Sequence, residues 1–509
     1  MVKRIRKRGS DDVASLVAEL NATVASLRAE NAQLREDLAQ LRGDTPPPGG
    51  APPGGTPPTS VDKDSEDDES AGDECDALRA KVAKLSRQLG RNSTNSSSPP
   101  SKDIEKRRRR RRKSSRRRGG QPGHVGHYRK PLADEDVTEH VACAIATVCA
   151  CGHDDVYERG FKTSHTVLGV HGATRYALES GRCSVCRRRR TAALPEGITR
   201  SVVGTDLLAA IAHMTGLCGT PRRPTQRFFD DVLGKRLSLG TISHCEAEVG
   251  AALAAPMNEA HESALDDDVK HLDETSHRRE GKRHTAWVLS TLLVTVMFLG
   301  LRRSAASLKA ILKGALRGTA VTDRYAVYER FGLKRQLCLE HIRRNFLGLV
   351  EVGGVVGEVS LRCTSAVRRV LVAWREKRAR KIDDKTYRKI VARCRRRIET
   401  ELARGWQLDP ELRTLAYAFI VQPEIVWRFV DDNTVPPTNN QGERDIRDLV
   451  VRRKVQLHTW SERGDRYVER TLTVGGTCRK QKRNPYAFIV DALDASRRGQ
   501  PSPRLLAAV

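Results

Sequence analysis

Apolar residues near the start of the chain recur at alternating spacings of three and four residues. This pattern predicts a helix with one apolar seam, and Val and Leu at its a and d positions favour a parallel two-stranded coiled coil. Asn31 falls at an a position, where a polar residue fixes the register and the dimeric state. We therefore expect residues 11–42 to form a leucine zipper that makes a homodimer or a higher oligomer; the alternative is an ordinary amphipathic helix. The predicted contact residues are Leu20, Leu27, Asn31, Leu34 and Leu41.

The segments that follow are too polar to predict a folded domain. Residues 43–76 are rich first in Pro and Gly and then in Asp and Glu, so we expect a disordered linker. Residues 77–90 carry a second, shorter apolar seam, which predicts a short coiled-coil helix. Residues 91–130 are low in complexity and rich in Arg, and we expect them to contact DNA.

Short apolar runs in the second half of the chain predict a β-sheet. We expect strands at residues 269–276, twice within 284–301, at 318–323 and at 334–339, with helices at 304–317 and 340–350. This arrangement is typical of the RNase H fold, in which an acid on the first strand lies beside the end of the fourth. Asp273 and Asp323 occupy these two positions. Two carboxylates there suit Mg²⁺, which prefers oxygen ligands.

Helical periodicity surrounds the predicted sheet. The stretch after residue 350 is too long for a loop, so an α-helical insertion is expected at residues 351–435. It splits the core into residues 265–350 and 436–495, and a tail follows at 496–509. The predicted fold class is therefore multidomain α/β: an RNase H-like mixed sheet core that is split by the α-helical insertion and preceded by a coiled coil and further elements.

Three further helices are expected within residues 201–255. The pattern predicts helices at residues 206–217, 225–233 and 238–253, with a break at residues 221–224, where two prolines lie. Ser238 is an N-cap candidate, and Gly234 marks the turn between the last two helices. On a basic chain this arrangement resembles a helix-turn-helix. The alternative is three-helix packing without DNA contact.

The net charge narrows the class of partner. The chain has 509 residues, with 91 Lys and Arg against 63 Asp and Glu and a formal net charge of +28. Such a charge argues against an ordinary metabolic enzyme and favours nucleic acid or an anionic membrane surface. A run of basic residues would contact DNA phosphates without reading sequence. Its members are Arg107, Arg108, Arg109, Arg110, Arg111, Arg112 and Lys113.

No membrane-spanning or secretory segment is visible in the sequence. The longest apolar stretch, residues 287–301, is shorter than the ~20 residues that a spanning helix needs. The basic N-terminus leads into no apolar region of the kind found in signal peptides. We therefore expect a cytoplasmic protein that is associated with the nucleoid and does not bind a membrane.

Two close pairs of cysteines predict a structural zinc site within residues 131–200. The pairs are Cys149 with Cys151 and Cys183 with Cys186. In a reducing compartment, four thiolates in such pairs suit tetrahedral Zn²⁺ better than disulfides. The first pair has one intervening residue instead of two, so His153 or Cys143 could replace one ligand. The alternative is that these cysteines are buried without a metal.

Several motifs in order along the chain resemble those of one transposase family. The matching residues are 119–124, 149–186, 272–275, 281–284, 322–325, 338–341, 438–444, 451–454 and 461–464. Through these motifs, most of residues 78–490 resembles transposases of the insertion sequence 66 family. These transposases belong to the Asp-Asp-Glu class and have an RNase H-like core. The zipper and the acidic linker lie outside the resemblance. Gly442 is a further departure, because Gly in a helix costs about 1 kcal/mol of helix propensity.

The resemblance implies an activity and a site. Asp273, Asp323 and Glu443 would be the catalytic triad that holds Mg²⁺ or Mn²⁺. Activated water would cut DNA at the ends of the element, and the released 3′-hydroxyl would attack target DNA. Accessory proteins encoded by the same element are further expected partners. The residues expected to line the DNA path near the third acid are Arg444, Arg447, Arg452, Arg453 and Lys454.

Two other functions remain open from the sequence. The first is a zipper-paired DNA-binding regulator with an inactive core. The second is a metal-dependent nuclease that cuts DNA without joining it.

Cys338 and His341 could bind a metal or support the second acid.

Overall fold

The structure, a computed structural model, describes Gly123 and residues 131–154, 156–313, 317–331 and 334–506. The predicted zipper at residues 11–42, the linker at 43–76, the short helix at 77–90 and the basic run at 107–113 lie outside the described residues. Within the described ranges, the protein is a mixed α/β protein with two mixed sheets and 13 α-helices.

The first sheet is built around its long third strand. β2 and β3 form an antiparallel hairpin, β1 pairs with β3 in parallel, and β4 pairs with the other end of β3. This arrangement brings the end of β3 close to the residues that follow β1. The strands are β1 (Glu139–Cys143), β2 (Val156–Leu168), β3 (Ala173–Cys183) and β4 (Arg189–Thr191).

The second sheet has the strand order β7-β6-β5-β8-β9. β5, β6 and β7 form an antiparallel meander, whereas β8 is parallel to β5 and β9 is parallel to β8. Glu280 and Gly281 connect β5 to β6 with φ angles of 53° and 80°, as a two-residue hairpin turn requires. The strands are β5 (Val269–Arg279), β6 (Lys282–Ser290), β7 (Thr295–Leu301), β8 (Thr319–Thr322) and β9 (Lys334–Leu337).

The helices precede, interrupt and follow this sheet. Those before it are α1 (Thr205–Ala212), α2 (Arg222–Asp231), α3 (Leu239–Ala252) and α4 (Ala254–Asp266). α5 (Ala305–Leu312) lies between β7 and β8, and α6 (Leu339–Val350) follows β9. The predicted insertion contains α7 (Gly354–Arg378), α8 (Asp384–Gly405), α9 (Pro410–Ala416) and α10 (Glu424–Asp431). Those that follow are α11 (Asn440–Gln456), α12 (Glu462–Lys480) and α13 (Pro485–Arg497).

The helices before the sheet differ from the prediction in two ways: α4 (Ala254–Asp266) lies beyond the three predicted helices, and α2 begins earlier than expected. Pro224 does not break the chain, because α2 begins at Arg222 and Pro224 lies in its first turn. A first-turn residue has no intrahelical bond for its N–H, so Pro is tolerated there. The predicted cap is present: Ser238 Oγ accepts from the Thr241 N–H at 3.0 Å and begins α3.

Two hydrophobic cores hold these elements together. The first joins α1, α3 and α4 to the meander and to α11–α13, with Trp287 fully buried in it. The second joins the end of β9 to α6–α10, with Phe346 and Trp427 among its buried side chains. Because β5 and β8 lie next to each other where the two cores meet, the ends of these strands face residues from both.

Candidate functional site

Asp273 and Asp323 lie level with each other on neighbouring strands. β5 and β8 pair in parallel, with His271 opposite Val321. The same register continued by two residues brings Asp273 opposite Asp323, which directly follows β8. Each carboxylate is oriented by a nearby backbone N–H at 2.9 Å: Asp273 Oδ1 accepts from Glu274, and Asp323 Oδ1 accepts from Tyr325.

Electrostatics couples these two acids to Glu443. Burial, together with the charges of Glu274, Asp323 and Glu443, raises the pKa of Asp273 to about 7, although a hydrogen bond from the Glu274 N–H opposes this rise. Like charges gathered in a half-buried place are unfavourable unless a cation joins them. The site therefore fits a divalent ion with oxygen ligands.

Glu443 lies in the first turn of α11, but its carboxylate faces two residues of α6. Its Oε1 is 3.5 Å from His341 Nδ1, and its Oε2 is 3.8 Å from a guanidinium nitrogen of Arg344. Cys338, His341 and Glu443 each offer a ligand atom, and these atoms lie within 4.8 Å of one another. Cys338 and His341 thus lie beside the third acid, and the Cys338 N–H also donates to the carbonyl of Thr322, the residue before the second acid, at 2.8 Å. Among the described residues, the three predicted acids do not form such a close group themselves.

Asn439 connects the strand of the first acid to the helix of the third. Its Nδ2 donates to Leu272 O at 2.8 Å, and its Oδ1 accepts from His271 Nδ1 at 2.9 Å. Its backbone N–H donates to Cys338 Sγ at 3.2 Å, and its backbone carbonyl accepts from the Glu443 N–H at 3.0 Å. Sequence reasoning placed Asn439 in a motif but gave it no role. Its position before a helix start was the available signal.

Gly442 makes room for that side chain. A Cβ at this position would lie 2.9 Å from Asn439 Oδ1, closer than real contacts allow. The glycine that departs from helix propensity is therefore explained by the packing of Asn439.

A fourth carboxylate, that of Glu274, lies next to Asp273 in the sequence, but its oxygens are bonded to other partners. Arg303 donates to Glu274 Oε1 at 2.7 Å, and the hydroxyl of Tyr328 donates to Oε2 at 2.7 Å. Burial raises the pKa of Glu274, whereas these two bonds lower it. Glu274 therefore acts on Asp273 through its charge while its oxygens are held by Arg303 and Tyr328.

A basic cleft opens beside Glu443. It has a volume of about 810 Å³ and lies between α6, α7 and the start of α11. Six arginines face two glutamates along its walls, so the cleft is suited to a polyanion. The charged lining residues are Glu340, Arg343, Arg344, Arg368, Arg375, Glu443, Arg444 and Arg447. Sequence reasoning identified Arg444 and Arg447 here and missed the four arginines from α6 and α7.

The predicted DNA contacts of α11 have unequal access to solvent. Arg444 and Lys454 are exposed, and Arg453 is partly buried with its guanidinium bonded to Thr275 and Ser276. Arg452 is buried, and its guanidinium donates to the backbone carbonyls of two residues after α1, Thr215 and Gly216. The prediction that Arg452 contacts DNA is therefore wrong for this structure, since its donors are used inside the protein.

The four predicted zinc ligands come together at the end of the first sheet. Cys149 Sγ lies 3.6 Å from Cys186 Sγ, and Cys151 Sγ lies 3.6 Å from Cys183 Sγ. All four sulfurs are within 4.8 Å of one another. Tetrahedral Zn²⁺ with bonds of about 2.3 Å requires sulfurs roughly 3.8 Å apart, so the group is compatible with zinc. The N–H of Cys186 lowers the pKa of Cys183 to about 6 although burial opposes it. Although a bond from the Arg188 N–H opposes them, burial and the neighbouring thiols raise the pKa of Cys186 to about 11. Of these two thiols, Cys183 is therefore the one that favours the thiolate.

The two alternative zinc ligands are not part of this group. His153 Nδ1 lies 3.8 Å from Cys151 Sγ but does not join the close set, and neither does Cys143. The arrangement therefore favours four cysteine ligands over a set that includes either residue.

Comparisons with known proteins give two family matches. Residues 200–467 match the family described as Transposase IS66 family, and this match spans the whole second sheet and all three predicted acids. Residues 62–130 match a family of unknown function (DUF6444). No curated protein matches the chain. Within the described residues, no helix is long and apolar enough to span a bilayer.

Proposed function

The chain belongs to the IS66 transposase family, and on that basis we propose that it cuts DNA at the ends of a mobile element and joins these ends to target DNA. Asp273, Asp323 and Glu443 are its proposed catalytic acids. The observation that carries the proposal is the level position of Asp273 and Asp323 on parallel strands, with the charge of Glu443 acting on Asp273.

The sheet supports this assignment through its topology. An antiparallel meander followed by two parallel strands is the arrangement expected for an RNase H-like core. Asp273 lies on the central strand and Asp323 at the end of its parallel neighbour. Glu443 enters from a helix after the insertion. The three proposed acids thus come from three separate parts of the chain: β5, the residue after β8 and the start of α11.

The acids would hold Mg²⁺ or Mn²⁺, which would activate the attacking oxygen and stabilise the leaving oxygen. Asp273 and Asp323 would provide shared ligands and Glu443 the ligand for a second ion. In the cutting step, a water oxygen would bond to the phosphorus at the element's end and the 3′-oxygen would leave with a proton. In the joining step, that 3′-hydroxyl would attack a target phosphodiester, displacing a target 3′-oxygen, without a covalent bond to the protein.

The basic cleft would hold a DNA strand beside Glu443. Its arginines can bind phosphates by charge and by paired hydrogen bonds, and such contacts position a strand without reading its sequence. Trp374 lies in the same lining. Arg444 and Lys454, the basic run at residues 107–113 and the helices of residues 201–255 are further proposed DNA contacts.

Two other elements would organise the assembly. The zipper at residues 11–42 would pair protomers, so that two element ends are held together. The four cysteines would bind a structural Zn²⁺ that fixes the first sheet.

The test is a cutting and joining assay with the full-length protein. The substrates are a labelled duplex from the DNA that flanks the coding sequence and a supercoiled target plasmid, with Mg²⁺ or Mn²⁺ added. Joined products support the proposal. Cleavage without joining would indicate a nuclease, and binding without chemistry, even with the neighbouring gene products added, would indicate a regulator with an inactive core.

A further inference from the structure

Cys338, His341 and Glu443 form a mixed-ligand group that the proposed chemistry does not require. Catalysis by Mg²⁺ uses carboxylate oxygens, whereas thiolate and imidazole ligands select softer ions such as Zn²⁺. A thiol and an imidazole beside a proposed catalytic carboxylate therefore suggest a second kind of ion at this position.

The distances within the group suit tetrahedral zinc. Zinc bonds to nitrogen and oxygen of about 2.0–2.2 Å separate two tetrahedral ligands by roughly 3.4 Å. His341 Nδ1 and Glu443 Oε1 are 3.5 Å apart. The Cys338 sulfur completes a set of three within 4.8 Å.

Two atoms of the group lack hydrogen-bond partners. His341 Nδ1 and Glu443 Oε1 are both buried atoms without a bond in the structure. Buried polar atoms are normally satisfied, and an ion is one way to satisfy a facing pair of them. Arg344 interacts with the other oxygen of Glu443, so Oε1 remains directed at His341.

One contact of Cys338 is of the kind that metal-bound thiolates make. The sulfur is buried and accepts a hydrogen bond from the Asn439 N–H at 3.2 Å. Such bonds orient ligands and stabilise their negative charge in metal sites. The thiol proton would leave to solvent when the ion binds.

We propose that Cys338, His341 and Glu443 bind Zn²⁺, with a water molecule as the fourth ligand, and that this ion holds Glu443 away from Asp273 and Asp323. Zinc at this position takes the third acid out of the proposed catalytic set. The protein would then bind DNA but not cut it until the zinc is removed. The inhibition rests on the proposed function, whereas the binding of zinc does not.

Metal binding is measured directly on the full-length protein, without DNA. The protein is first loaded with Zn²⁺ at the four-cysteine group and then titrated with Co²⁺, whose thiolate charge-transfer absorption reports a cysteine ligand. The variants are Cys338→Ser and His341→Gln. Cys218→Ser, which removes an exposed thiol outside both groups, is the matched control.

The wild type and Cys218→Ser should bind one more ion per chain than Cys338→Ser, and zinc affinity at this site should fall at least about 100-fold in both ligand variants. Melting curves of the metal-free proteins check folding. His341 is partly exposed, so His341→Gln serves if Cys338→Ser does not fold. If the wild type and the two ligand variants bound the same number of ions per chain and showed the same Co²⁺–thiolate absorption, the proposed site would be wrong.

The inhibitory role is tested separately by adding free Zn²⁺ to the Mg²⁺-dependent cleavage assay. The inhibitory role is supported if Zn²⁺ inhibits cleavage by the wild type, whereas Cys338→Ser cleaves DNA and is clearly less sensitive to Zn²⁺. Equal inhibition of both overturns it. Absence of cleavage in Mg²⁺ alone would count against the proposed function and leave the binding result standing.

Discussion

Asn439 Nδ2 donates a hydrogen bond of 2.8 Å to the carbonyl of Leu272, the residue that precedes Asp273 on β5. The same amide accepts from His271, and burial lowers the pKa of that histidine to about 4, so the ring is neutral and Nδ1 carries the proton. Because the backbone of Asn439 also begins α11, this residue fixes the distance between the Asp273 strand and the Glu443 helix.

Removing the Asn439 side chain should therefore destabilise the protein. Asn439→Ala leaves the His271 N–H and the Leu272 carbonyl buried without partners, and each such group costs about 1–3 kcal/mol. Chemical denaturation should show a loss of at least about 2 kcal/mol. Asn440→Ala, at the exposed neighbouring asparagine, is the control and should be close to neutral. Similar losses in the two variants would contradict the role of Asn439.

Gly442→Ala should have opposite effects in two backgrounds. In the wild type, the added Cβ would lie 2.9 Å from Asn439 Oδ1, and such overpacking costs about 1–3 kcal/mol. In the Asn439→Ala background the space is free, so the gain in helix propensity of up to about 1 kcal/mol should appear. A double-mutant cycle of unfolding free energies measures the difference. If Gly442→Ala changed the unfolding free energy in the same direction in both backgrounds, the packing of Asn439 would not require this glycine.

The raised pKa of Asp273 predicts a pH-dependent stability. Its pKa is about 7 in the folded protein, against 3.8 ordinarily, so between these values the folded state binds the extra proton. The unfolding free energy of the Mg²⁺-free protein should therefore fall as pH rises through this window, by at most about 1.4 kcal/mol per pH unit. Mg²⁺ should oppose the loss, because it binds the charged carboxylate.

Urea denaturation across this pH range checks the prediction. Asp273→Asn should remove the contribution of this carboxylate to the slope of unfolding free energy against pH. Asp268→Asn, at an exposed carboxylate, should leave that contribution unchanged. Identical slopes in wild type and Asp273→Asn would mean that Asp273 titrates normally.

The basic cleft should contribute to the salt dependence of DNA binding. Each arginine that neutralises a phosphate adds about 0.7–0.9 to the slope of log K against log salt concentration. Arg368→Ala and Arg447→Ala should each lower the slope by that amount and weaken binding to all sequences alike. Arg396→Ala, an exposed arginine of α8 outside the cleft lining, is the control. An unchanged slope in the two cleft variants would place the DNA elsewhere.

The positions of Asp273 and Asp323 could be predicted because they depend on local pattern. Short apolar runs define the strands, and parallel neighbours end at the same edge of a sheet. The arginines of the cleft could not be found in this way, because Arg368 and Arg375 come from the insertion. Their proximity to Glu443 depends on how α7 packs against α6.

Arg452 and Cys338 show a second limit of the sequence. On a basic helix, charge alone does not distinguish Arg447, which faces the cleft, from Arg452, which is buried against Gly216. Spacing grouped Cys338 with His341, but only the packing of α11 shows that Glu443 joins them. The zipper prediction lies outside the described residues and stays a prediction.

The most direct test compares DNA cutting and joining by the wild type with Asp273→Asn, Asp323→Asn and Glu443→Gln, after confirming that all bind the element's ends. The control is Glu340→Gln, an acid of the same cleft outside the triad. We predict Mg²⁺-dependent cleavage and joining by the wild type and the control. Losing a metal ligand worth several kcal/mol should lower both reactions at least about 100-fold in the three triad variants. Equal activity in a triad variant and the wild type would contradict the proposed site.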